Sequence, residues 1–170
     1  FDHYQAESRN WRVRYDDHSR SVADIRTEMS LHEYDIVIID YLQRLAYDTE
    51  KEYAAITRIV NELQDATLET GVPVVCLSQL SRPLKGFEWK QPSMSDTRGS
   101  GAVEERAANL ILLHRKWETV EEERFGKATK VAQRQTEAGT FIIAKCADGE
   151  AGGYARVIFN GARMTITEKL

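Results

Sequence analysis

An acid closes a run of β-branched residues at Ile36-Val37-Ile38-Ile39-Asp40. Such a run reads as a strand buried on both faces, as in parallel sheets. A carboxylate at the carboxyl end of such a strand stands where open α/β sheets hold their ligands. There it can organise Mg²⁺, directly or through water, or it can simply open a turn. A second apolar run, Val74 to Leu77, stops at the polar pair Ser78-Gln79. A third stretch, 81–101, interleaves Arg82, Lys85, Lys90 and Arg98 with Phe87 and Trp89. Cations among aromatics suit a nucleic-acid backbone and its bases. An ordinary solvated loop has the same composition. Cys76 and Cys146 form no CxxC and have no paired histidines, which argues against zinc. The four histidines are scattered and read as structural or surface residues.

These groups need elements to hold them. A chain of 170 residues with 42% apolar content can build one domain with a real core. Its net charge of −4 gives no bulk attraction to nucleic acid, so such a site must be a local basic patch. No apolar run approaches the roughly 20 residues of a membrane helix, and the opening Phe-Asp-His-Tyr-Gln does not read as a signal peptide. In chain order, residues 11–15 alternate as a strand. Val22, Ile25 and Met29 mark a helix over 21–33, with Ser19 or Ser21 as cap. The strand 35–39 and the loop 41–48 follow. A helix over 50–69 carries the stripe Tyr53, Ile56, Ile59, Val60, Leu63 and Ala66, and Gly71 ends it. Two strands flanking a helix form a βαβ unit, which puts Asp40 and Gln79 on one sheet edge. A short helix at 102–108 precedes a third buried strand, 110–113. Residues 115–138 read as a charged surface excursion, partly helical and with a composition open to disorder. Strands at 140–145, 155–159 and 163–167 close the chain, and Asn160-Gly161 predicts a type I′ hairpin. The class is α/β, with a parallel central sheet and an antiparallel carboxyl-terminal hairpin in a single domain.

Taken together, Ile38-Ile39-Asp40-Tyr41-Leu42-Gln43, Pro73-Val74-Val75, Leu77-Ser78-Gln79-Leu80, Ser95-Asp96-x-Arg98-x-Ser100-Gly101 and the final Arg-Val-x-Phe-Asn-Gly at 156–161 are specific. In order and spacing the chain resembles the carboxyl-terminal, RecA-like motor domain of DnaB-type replicative DNA helicases. The resemblance implies a P-loop NTPase core, ATP and Mg²⁺ as cofactors, and a homo-hexamer with ATP at the subunit interfaces. It further implies single-stranded DNA as partner, a helicase loader and primase as others, and a cytoplasmic setting in bacterial, phage or plasmid replication. Asp40 matches the acid that organises Mg²⁺ and its water. Gln79 matches the γ-phosphate sensor. Lys145 matches a lysine that reaches the neighbouring subunit's γ-phosphate. Arg98 and Gly101 match the DNA-gripping loop, with Arg82 and Gly99 as further DNA-binding candidates; glycines let backbone N–H groups approach phosphate, although Gly99 stands where the family usually has glutamate.

Two departures stand against that pattern. No G-x-x-x-x-G-K-[ST] occurs, and the strand with the family's catalytic glutamate is missing. The expectation is a fragment that begins after these motifs and hydrolyses little ATP by itself. The family's arginine finger follows the lysine by two residues, where this chain has Ala147. Such fingers are worth several orders of magnitude in rate. Either Arg134 or Arg156 substitutes, or activation across the interface is weak. The leading reading is therefore part of an ATP-driven DNA helicase. The alternative is a degenerate RecA-like protein that binds DNA or a partner without unwinding. A recombination or clock-type ATPase stands third.

Overall fold

The computed structural model describes residues 11–19, 21–46, 51–81, 90–97, 100–124 and 127–169. Helix α1 spans Val22–Leu31. It starts where it does because Ser21 Oγ accepts the Asp24 N–H at 3.1 Å while Asp24 Oδ2 accepts the Ser21 N–H at 3.0 Å. This reciprocal pair satisfies two of the donors a helix start leaves open. Strand β1 is Val37–Ile39, and a 3₁₀ turn follows at Leu42–Leu45. Helix α2 is Glu52–Thr70, and strand β2 is Val74–Cys76. Gly71 closes α2 in the left-handed conformation (φ 72°), donating its N–H to Thr67 O at 2.9 Å. A side chain there would be strained, and Pro73 prevents further helix.

Strands β1 and β2 pair in parallel, with Val37 opposite Val74, Ile38 opposite Val75 and Ile39 opposite Cys76. The βαβ reading of the sequence holds. Inward-facing Val37, Ile39, Val74 and Cys76 pack with Val22 and Ile25 of α1 and with Ile56, Ile59 and Leu63 of α2. The expectation of strands buried on both faces does not hold among the described residues. Ile38 is 66% exposed and Val75 45% exposed. The cause is that α1 and α2 both pack on the face of Ile39, and alternate side chains point the other way. In α2, Ile56, Ile59, Leu63 and Ala66 are buried as the helical period requires, whereas Tyr53 is exposed.

Helix α3 (Ser100–Arg106) leads into a second sheet. Its strands are β3 (Asn109–Arg124), β4 (Lys127–Cys146), β5 (Tyr154–Asn160) and β6 (Thr165–Glu168), antiparallel in chain order. Four expectations change here. Residues 110–113, expected as a third buried strand, begin β3, paired antiparallel with β4, and alternate in burial, with Leu112 buried and Ile111 and Leu113 exposed. Residues 115–138, read as partly helical, lie in β3 and β4 wherever they are described. The register sets Glu118 opposite Arg134 and Glu122 opposite Lys130. Such pairing is a signal invisible within either segment alone. Residues 11–15, expected as a strand, pair with no strand among the described residues. The β5–β6 connection is not a two-residue turn. Asn160 pairs with Thr165, Asn160 Oδ1 accepts the Arg163 N–H at 3.1 Å, and Met164 takes the positive φ (51°). The asparagine side chain closes a longer loop by bonding the backbone ahead of it.

Gly139 of β4 has a steric reason. A Cβ there would lie 2.3 Å from the Phe159 ring, which stacks beneath the Arg115 guanidinium at 5.0 Å.

Candidate functional site

The site lies where the parallel strands stop. Beyond the strands, Leu77 N–H donates to Ile39 O at 2.9 Å and Leu42 N–H donates to Leu77 O at 2.8 Å. Asp40 therefore sits between two backbone bonds that tie its segment to the end of β2, on the same edge as Ser78-Gln79. The Asp40–Tyr41 peptide bond is cis. Leu42 and Leu45 are buried and root the 3₁₀ turn in the core. The Asp40 carboxylate is exposed and makes no hydrogen bond or ion pair among the described residues. One free carboxylate at a strand end suits Mg²⁺, which keeps several waters and takes other ligands from phosphates. Among the described residues no three carboxylate, histidine or cysteine groups cluster into an all-protein metal cage.

The next residues reach toward the basic loop. Leu80 forms an antiparallel bridge with Thr97, and Ser81 N–H donates to Asp96 O at 2.7 Å. Gln79, exposed, is thus one residue from a segment bonded to the approach of Arg98. That approach is itself ordered. Asp96 Oδ2 accepts Ser93 N–H at 2.7 Å and Ser93 Oγ–H at 2.8 Å, closing the 3₁₀ turn Met94–Asp96. The Ser93 backbone bond, then its hydroxyl, holds the Asp96 carboxyl below the usual carboxylate range. Thr97 is buried, and its hydroxyl donates to Met94 O at 2.7 Å.

Of the remaining candidates, Arg82, Arg98 and Gly99 lie outside the described residues. Gly101 lies in the first turn of α3, where a Cβ would come within 2.9 Å of the Tyr53 hydroxyl. Tyr53 is exposed and can swing aside, so this contact alone does not demand glycine. Lys145 does not point into open solvent. Its Nζ donates to Glu104 O at 2.8 Å and Glu105 O at 3.0 Å, capping the carboxyl end of α3. A cation there satisfies open carbonyls and complements the helix dipole. Ala147 is exposed just past β4.

Cys76, in β2 beside Ile39, has its thiol pushed up to about 11 by burial. At pH 8 only about one such thiol in a thousand is ionised, and the thiolate is the reactive form. Alkylation of Cys76 is expected to run roughly a hundredfold slower than that of a free cysteine, and to speed up as pH rises toward 11. Mass spectrometry of a timed iodoacetamide reaction checks this; rapid labelling at neutral pH would mean that β2 is not packed as described.

Sequence reasoning placed Gln43 and Ser78 in motifs but gave them no role. Gln43 Nε2 donates to Ser78 Oγ at 3.0 Å, and Gln43 Oε1 accepts the Gln79 N–H at 3.3 Å. Nothing in local periodicity marks Gln43, because its partners lie 35 and 36 residues away.

The family model for the DnaB-like helicase C-terminal domain matches residues 4–168. The chain belongs to this family. A probable plasmid replicative DNA helicase of Chlamydia psittaci is 40% identical over 84 residues, 48% of this chain and 18% of the relative. A probable replicative DNA helicase of Trieres chinensis is 31% identical over 120 residues, 69% of this chain and 25% of the relative. The chain thus spans about a quarter or less of these relatives. Among solved structures, an ATPase domain superposes with a TM-score of 0.75 at 26% identity, covering 99% of this chain and 59% of its own. A DnaB-like replicative helicase, described with its interactions with primase, gives 0.66 at 28% identity, over 86% of this chain and 35% of its own. The RecA-like ATPase fold expected from the motifs is the fold observed. The DnaB-like domain gathers the ends of β1 and β2, the 80–81 segment and the 96–97 turn along one connected edge.

Proposed function

We propose that this domain is part of an ATP-dependent replicative DNA helicase that translocates on single-stranded DNA and unwinds duplex. The observation that carries the reading is the parallel register of β1 and β2, which brings Asp40 and Gln79 to one edge in a DnaB-like domain. Asp40 would hold Mg²⁺ and its water, and the metal would neutralise charge developing on the phosphates of ATP. Gln79 would sense the γ-phosphate, its neutral amide meeting phosphate or water without adding charge. Lys145 would act on the nucleotide of the neighbouring subunit in a homo-hexamer. Its present bonds to the carboxyl end of α3 would have to be exchanged for that role. Arg82, Arg98, Gly99 and Gly101 would line the path of the single strand. A loader and primase are the further partners, in a cytoplasmic replication setting.

Replacing Arg98 with alanine in the full-length protein should weaken single-strand binding. It should also reduce the slope of log affinity against log salt by about 0.7 to 1 unit. Fluorescence titrations at several salt concentrations measure this; an unchanged slope would take Arg98 off the phosphate backbone. The tethering of Lys145 and the alanine at 147 favour a second reading, a degenerate binder that does not unwind. ATP turnover stimulated by single-stranded DNA in the full-length protein decides against it.

A further inference from the structure

We propose that Gln43 is a positioning residue, one that sets the place of Gln79 relative to Asp40. The inference rests on the nucleotide-side reading of those two residues and adds a third to it. The backbone ladder between the two segments runs out at the bond from Leu42 N–H to Leu77 O. The Gln43 amide continues the tie with its side chain. Its oxygen accepts the Gln79 N–H at 3.3 Å and its nitrogen donates to the Ser78 hydroxyl at 3.0 Å. The orientation of the amide follows from its partners. A backbone N–H can only donate, so the oxygen must face Gln79, and the NH₂ is left for Ser78.

The anchor at the other end is rigid. Gln43 sits in a 3₁₀ turn between buried Leu42 and Leu45, with Arg44 N–H bonded to Tyr41 O at 3.0 Å. Asp40 precedes that turn by two residues. A shift at the Asp40 edge is therefore passed to the Gln79 backbone. Residues 80 and 81, bonded to 97 and 96, pass it on toward the basic loop. Glutamine suits the task. Leucine has similar bulk but neither polar atom. Asparagine is one methylene shorter. Glutamate can accept from both the N–H and the Ser78 hydroxyl, but it brings a second negative charge to the edge that Asp40 occupies.

The test compares Gln43→Leu and Gln43→Glu in the full-length protein, by amide hydrogen exchange and by ATPase kinetics with single-stranded DNA. Loss of one hydrogen bond in Gln43→Leu should speed exchange at Gln79 about five- to tenfold, with α2 unchanged. Gln43→Glu should retain most of that protection. In Gln43→Leu, kcat with DNA should fall roughly ten- to a hundredfold with KM for ATP nearly constant, as displacement of a catalytic group predicts. Equal exchange at Gln79 in both variants and the parent would overturn the tie. Faster exchange with unchanged kcat would overturn its positioning role. Gln79→Ala tests the underlying reading separately: full DNA-stimulated turnover in that variant removes Gln79 from the reaction, whatever Gln43 does to its backbone.

Discussion

Replacing Asp40 with asparagine is expected to lower the Mg²⁺-dependent ATP turnover of the full-length protein by about a hundredfold or more, with little change in folding. The size is set by comparison with the loss of one preorganised polar contact to developing charge, which costs about 10² to 10³ in rate where an oxyanion-hole donor is removed. Asparagine keeps the shape of the side chain but not the charge that holds a hydrated dication. The fold should tolerate the change, because the Asp40 carboxylate is exposed and makes no hydrogen bond or ion pair among the described residues. Surface changes of that kind usually stay within about 0.5 kcal/mol. Steady-state turnover at saturating MgATP, read beside a thermal melt, gives both numbers. Parental turnover in the variant would return Asp40 to the role of a turn residue. Equal loss of activity and melting temperature would make it a structural one.

The second large effect is expected in the core. Ile56 and Ile59 are both 0% exposed and are the largest fully buried side chains of the described residues. Truncating Ile56 to alanine removes three carbons and leaves space that neighbours on β1 and α1 can fill only in part. The expected cost is about 2–5 kcal/mol. Against a total stability of about 5–15 kcal/mol, that is a large share. On the same helix Leu68 is 75% exposed, and its change to alanine should cost no more than about 0.5 kcal/mol. Urea midpoints for the two variants distinguish the faces of α2. Similar losses in both would contradict the packing of α2 against the parallel strands.

Much of this was legible along the chain. The apolar runs before Asp40 and Ser78-Gln79, separated by an amphipathic helix with Gly71 at its end, specify a βαβ unit from local pattern alone. The serines at 19 and 21 mark where α1 starts, leaving the choice of Ser21 to the structure, and the period of Ile56, Ile59 and Leu63 sets the inner face of α2. These features depend on residues a few positions apart, where backbone sterics and helical period act directly. Other features depend on partners far off in sequence. The charged stretch 115–138 has no strong period of its own, and its strands are defined by the pairing of two segments well apart in the chain, with residue 118 opposite 134 and 122 opposite 130. Lys145 could be matched to a motif but not to its carbonyl partners, which lie 40 and 41 residues earlier.

By itself, then, the sequence determined the α/β class, the βαβ unit, the shared edge of Asp40 and Gln79, and the family to which the chain belongs. Tertiary structure alone decided which face of the parallel strands is covered. It also decided that residues 110–146 pair as one antiparallel hairpin, that Lys145 rests on α3, and that Gln43 ties Gln79 to the turn after Asp40. The physical reason is range. Propensity, caps and periodicity act over one or two helical turns, whereas a side-chain amide finds its donor and acceptor only after the fold brings distant backbone within about 3 Å.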